Sequence, residues 1–307
     1  MKKRIRLILT VVLLLLLFPC LFFAKKAADG TLAWNNRFGR IQAGGVFRST
    51  LLSPERTPVK NSTDAPLSTL QHGLDRELRH LPGQWDVWVE SLASSDALHI
   101  RRNIGDEDVL VSASLIKLFI MGAVYDQIER GILSEDEVCD QLCAMITVSD
   151  NDAANELTLL LGGGDSAAGM NIVNDWAASV GCRGVQHNRL MLAGNGLENY
   201  VTAEACAELL SQIYRGECVS SHASGQMLSL LLNQQVNDRI PADLPEGTAV
   251  AHKTGDLIGL CTADVGIIFS PGGDYILCVI CNRPPQGSHP AAEIARLSKL
   301  VYTVFNA

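Results

Sequence analysis

The sequence predicts an α+β fold: an antiparallel sheet built from both termini, with flanking helices and an inserted all-α subdomain. Three observations lead there. Strand-like runs stand on either side of the middle, "QWDVWVESL" and "ALHIRRN" before it, "TAVAHKT", "TADVGIIFS" and "DYILCVICN" after it. The stretch between, from Ser114 to about Asn233, is dominated by helical patterns with loops rich in Gly and Asn. The connection "SPGGD" is short enough for a hairpin and too short for a parallel crossover.

The elements follow in order. The first residues, "MKKRIRLILTVVLLLLLFPCLFFAKKAADG", join a basic start (Lys2, Lys3, Arg4, Arg6) to an apolar run from Leu7 to Ala24, which is an export signal. Phe22 and Lys25 stand where a cleavage site needs small residues, so residues 1–24 are expected to stay as a membrane anchor with the basic end inside. Secretion after cleavage is the alternative. Residues 25–63 show no sustained period and read as an extracytoplasmic linker. The main folded domain is expected over 64–307. It opens with the helix "LSTLQHGLDRELRHL", holds the helical insertion at about 114–235, and closes with a helix from about Ala291 to Phe305.

Composition excludes some functions. A net charge of -8 and a pI near 5.4 argue against a nucleic-acid partner, which needs a basic patch. Beyond Cys20 the chain has Cys139, Cys143, Cys182, Cys206, Cys218, Cys261, Cys278 and Cys281. An oxidising compartment permits disulfides, but the pairing does not follow from sequence. The one CxxC pair, Cys278 and Cys281, lies in a strand-like run, where residues three apart face opposite sides and cannot easily share a zinc ion. No metal or organic cofactor is expected, and a monomer is.

Three short motifs carry the chemistry. In "VLVSASLIKLFIMGAVYDQIERG", Leu115, Ile116, Phe119, Ile120, Val124 and Ile128 recur at helical spacing. Ser114 and Lys117 then lie one turn apart on one face, within reach of each other. In "MITVSDNDAANELTLLLGG", Ser149, Asp150 and Asn151 precede a helix, and all three are good N-caps. In "AHKTGD", Lys253, Thr254 and Gly255 stand at a strand end. Each motif alone has an ordinary structural explanation.

Their joint order, Ser-x-x-Lys, Ser-Asp-Asn, Lys-Thr-Gly, resembles the class A β-lactamases and penicillin-binding proteins. The resemblance extends from about Leu67 to Phe305 and implies a β-lactamase/transpeptidase-like fold with acyl-enzyme chemistry. In that chemistry Ser114 is the nucleophile and Lys117 its base, made neutral by burial and by nearby Lys253. Ser149 relays a proton to the leaving nitrogen, and Asn151 binds the substrate's side-chain amide. Lys253 and Thr254 hold a substrate carboxylate, with Gly255 allowing close approach to the edge strand. The oxyanion sits between the backbone N–H groups of Ser114 and Asp256. The implied substrate is a β-lactam. A D-alanyl-D-alanine carboxypeptidase acting on cell-wall peptides and an acylated, non-catalytic β-lactam sensor are the alternatives.

Two departures stand out. Ser149 follows Ser114 by 35 residues, fewer than the family's usual spacing, so a segment over the cleft is expected to be missing. The family's Arg-x-Glu-x-x-Leu-Asn loop is best matched by "RLMLAGN", where Arg189 and Asn195 fit but Met191 replaces the water-activating glutamate. Glu198 is the nearest acidic residue and the one candidate deacylation base. Slow deacylation is the expected consequence.

Overall fold

The computed structural model describes residues 65–105, 109–194 and 196–307, so the anchor and linker assigned to 1–24 and 25–63 lie outside the described residues. Helix α1 (Ala65–Leu78) leads into strands β1 (Gln84–Ser91) and β2 (Ala97–Arg102). The middle of the chain begins with β3 (Leu110–Val111) and a 3₁₀ turn (Ala113–Leu115). Helices α2 (Ile116–Glu129), α3 (Glu135–Thr147), α4 (Asn151–Leu161) and α5 (Ser166–Ser179) follow. After β4 (Tyr200–Val201) come α6 (Ala203–Arg215) and α7 (Ser221–Leu232). Strands β5 (Ala249–Leu257), β6 (Cys261–Phe269) and β7 (Tyr275–Asn282) and helix α8 (Ala291–Phe305) complete the fold.

The five long strands form one antiparallel sheet in the order β2-β1-β7-β6-β5. The early and late strands meet at β1 and β7, with Gln84 opposite Asn282 and Ser91 opposite Tyr275, as expected for a sheet built from both termini. Central strand β7 is buried along its whole length, and its side chains alternate between two cores. Tyr275, Leu277, Val279 and Cys281 enter the core beneath α1 and α8, while Ile276, Cys278 and Ile280 enter the core shared with the helical block. Cys278 and Cys281 thus face opposite sides of the sheet. None of the eight described cysteines is bonded to another, and six of them are buried.

Helix α2 is apolar almost all round, which suits a helix enclosed by others. Leu118, Phe119, Ile120, Met121 and Val124 are all fully buried, each contributing about 1.5–3 kcal/mol by leaving water. At Gly122 the indole of Trp176, from α5, takes the space a Cβ would need. Only the turn at 130–134 separates α2 from α3, so the short interval between the first two motifs adds no further segment there. The two-residue ribbon of β3 and β4 is not foreseen from sequence. It fixes the approach to Ser114, because Asn282 accepts from Val111 N at 2.6 Å and Ser112 N donates to Asn199 O at 2.8 Å.

Candidate active site

Ser114 lies on the 3₁₀ turn ahead of α2 and is 9% exposed. Ala113 before it takes a left-handed backbone (φ 44°), a conformation that costs a side-chain-bearing residue of order 1–2 kcal/mol and that the surrounding contacts must hold. Edge strand β5 runs beside this turn. A Cβ on Gly255 would lie 3.1 Å from both Leu115 Cγ and Ser112 O. The close approach that Gly255 allows is therefore to the turn carrying Ser114.

Ser149 and Asn151 come from the junction of α3 and α4. Asp150 caps α4, its Oδ1 accepting from Ala153 N at 2.8 Å, and Ser149 is left-handed (φ 60°). The cap and the motif are thus compatible. One residue serves the helix and its neighbours serve the cleft. Ser114, Ser149, Asn151, Thr254 and Asp256 line one cleft of about 270 Å³. Because β5 is an edge strand, its outer backbone N–H groups, among which the oxyanion donor of residue 256 is sought, have no strand beside them.

The two lysines are fully buried behind the cleft and converge on Ser149. Lys117 Nζ donates to Ser149 O at 2.6 Å, to Asn151 Oδ1 at 2.8 Å and to Ser149 Oγ at 3.2 Å. Lys253 Nζ lies 2.9 Å from the same Oγ and 2.8 Å from Thr254 O. No hydrogen bond joins Lys117 to Ser114 among the described residues, in contrast to the contact their spacing suggests. Burial lowers the Lys117 pKa to about 8, against the pull of Asp150. Burial and then the charge of Lys117 hold Lys253 well below the usual lysine range, with Asp264 opposing. Three acceptors around Lys117 suit an ammonium. Both lysines are thus shifted toward the neutral form, and the acceptors around Lys117 oppose that shift.

The loop from His187 to Asn199 forms another wall. Asn155 of α4 clamps Met191, accepting from its N–H at 2.7 Å and donating to its carbonyl at 3.2 Å. Asn199 Oδ1 receives the N–H groups of Asn188 and Arg189. Met191 lines the cleft, so the loop places it at the reactive face. Glu198 also lines the cleft, but its Oε2 takes bonds from Arg189 Nε at 3.1 Å and Nη2 at 2.5 Å. It is an ion-paired clamp across the loop rather than a free loop carboxylate. Asn195 lies outside the described residues. Arg239, 2% exposed and also lining the cleft, was not singled out from sequence, since "NDRIP" carries no motif that marks it.

The chain is similar to several known proteins. The curated beta-lactamase AST-1 of Nocardia asteroides is 28% identical over 179 residues, which cover 57% of this chain and 56% of that protein. The chain thus spans little more than half the length of the curated relative it matches. Among solved structures, PBP-A superposes with a TM-score of 0.68 at 24% identity, covering 78% of this chain and 97% of that one. The TLA-1 extended-spectrum beta-lactamase superposes with a TM-score of 0.69 at 20% identity, covering 78% and 99%. At such identities the likeness shows the β-lactamase/transpeptidase-like fold alone. The family model described as "Beta-lactamase enzyme family" matches residues 69–141 and 137–305, and the chain belongs to that family.

Proposed function

We propose that this protein is an exported, membrane-tethered serine hydrolase that opens β-lactams through an acyl-enzyme on Ser114 and releases the product slowly. The observation that carries the reading is the cleft itself. It joins Ser114, Ser149, Asn151 and Thr254 in front of two buried lysines, and faces them with Met191. Attack by Ser114 Oγ on the lactam carbonyl needs a base for its proton. A substrate carboxylate drawn to Thr254 favours the charged form of Lys253 beneath it, and Lys253 takes the proton of Lys117 by way of Ser149 Oγ, which both amines contact. Lys117, turned toward Ser114, then takes the serine proton, and Ser149 passes a proton to the leaving nitrogen. The N–H groups of Ser114 and Asp256 hold the oxyanion.

Hydrolysis of the ester needs a base on the loop side. The thioether of Met191 cannot accept a proton from water, and Glu198 is occupied by Arg189. General-base catalysis is worth about 10²- to 10⁴-fold, so release is slow without it. A cell-wall peptidase is the second reading. It is favoured by Met191 and by the likeness to PBP-A, a leucine-to-glutamate variant of which is described as an acyl-enzyme complex with penicillin G.

Intact-protein mass after mixing with a penicillin tests the proposal. A one-to-one adduct is expected to accumulate and decay slowly, to be absent in Ser114→Ala, and to decay faster in Met191→Glu. Rapid turnover with no adduct would reject slow release. Cleavage of D-alanyl-D-alanine peptides with no β-lactam release would select the peptidase. Membrane fractionation of the full chain, with residues 1–24 retained, tests the tether.

A further inference from the structure

A cation of the cleft is already held by the chain's own carboxylate. Arg239 Nη2 donates to Asp256 Oδ2 at 3.1 Å and lies 3.2 Å from His289 Nε2, which is 2.9 Å from the same oxygen. Thr262 Oγ1 donates to Asp256 Oδ1 at 3.4 Å, and Asp238 Oδ1 is 3.8 Å from Arg239 Nε. Nε is buried without a hydrogen-bond partner, and Nη1 makes no hydrogen bond among the described residues. The guanidinium therefore keeps unused donors while Asp256 neutralises it.

Asp256 differs from its partner in one respect: its side chain is 44% exposed, against 2% for Arg239. It stands two residues beyond Thr254 on edge strand β5 and lines the same cleft, at the end to which the proposed function brings a substrate carboxylate. A second carboxylate brought there meets a negative charge, and it finds the Nη2 of Arg239 taken. With Asp238 also beside Arg239, two carboxylates face one guanidinium at this end.

We propose that the Asp256 side chain sets the charge preference of the cleft: it occupies Arg239 and selects against ligands that carry a carboxylate at that end. The inference rests on the acyl-enzyme reading of Ser114. It concerns the carboxylate alone, since the backbone N–H of residue 256 survives substitution.

The test compares acylation of the full chain by benzylpenicillin and by its methyl ester. Asp256→Asn is expected to raise the ratio of acid to ester acylation rates about tenfold, the ratio that a difference of about 1.4 kcal/mol produces. Raising the ionic strength should narrow the gap between wild type and variant, because an exposed carboxylate is screened. Equal effects on acid and ester, or a ratio that does not move, would overturn the proposal. Calorimetric binding of phenylboronic acid and 3-carboxyphenylboronic acid separates this failure from failure of the β-lactam reading, since boronates add to an activated serine without a lactam. Tighter binding of only the carboxylated boronate to Asp256→Asn, where no penicillin reacts, would keep the charge preference and reject β-lactams as substrates. No carboxylate dependence in either probe would reject the charge preference.

Discussion

Ser149 is the residue on which both buried lysines converge, and its left-handed backbone turns its hydroxyl and its carbonyl toward them. That geometry makes a prediction for Lys117. Its pKa of about 8 means that its neutral fraction below that value falls about tenfold per pH unit, so acylation should rise with pH and level off above about 8. A pH profile of the adduct-forming rate checks this. A flat profile through that range would remove Lys117 from the role of base. The types and order of Ser114, Lys117, Ser149 and Lys253 were legible, because the motif fixes residue spacing. How burial and partners shift the two lysines was not, because it depends on packing and on acceptors supplied by two separate segments. Arg239 and its contact with Asp256 were illegible for a related reason. An ion pair between a buried arginine of a loop and an exposed aspartate of a strand leaves no periodic trace.

The long elements were read from their apolar periods, and strands β1, β5, β6 and β7 and helix α8 fall where those periods place them. The 3₁₀ turn and the β3–β4 ribbon are too short to have a period, yet they set the angle at which Ser114 enters the cleft. Packing of α2 on α5 offers a test at this scale. A methyl group at Gly122 would overlap the Trp176 indole, whose ring is wedged against the buried core of α2. Gly122→Ala should therefore cost about 1–3 kcal/mol, as overpacking does. Gly225 in α7 has open space around its Cβ position and an ordinary helical backbone. Gly225→Ala should be neutral or stabilise by about 0.5–1 kcal/mol. Urea unfolding of both variants measures the contrast. Equal effects would mean that the α2–α5 contact does not constrain the fold.

Across the whole molecule, the buried ionisable groups shape how stability depends on pH. His187 begins the loop that carries Met191. It is 2% exposed, neither ring nitrogen has a hydrogen-bond partner among the described residues, and burial lowers its pKa to about 4. The unfolded chain therefore binds a proton at this residue from about pH 6.5 downward while the folded chain resists it, so stability falls as pH drops from 6.5 toward 4. The full contribution is about 3 kcal/mol, present above the unfolded value. On the alkaline side, burial raises the pKa of Cys182, Cys218 and Cys281 to about 12, and those of Cys206, Cys261 and Cys278 upward as well. Unfolding frees these thiols to ionise, so stability falls as pH rises past about 9. Lys117 and Lys253, both lowered, act in the opposite sense there, but they are two groups against six. Maximal stability is therefore expected between about pH 6.5 and 9. His187→Gln should flatten the acid limb just below pH 6.5 while leaving the alkaline limb in place, as read from urea midpoints across the pH range. An acid limb that keeps its slope in that variant would mean that groups other than His187 govern the loss.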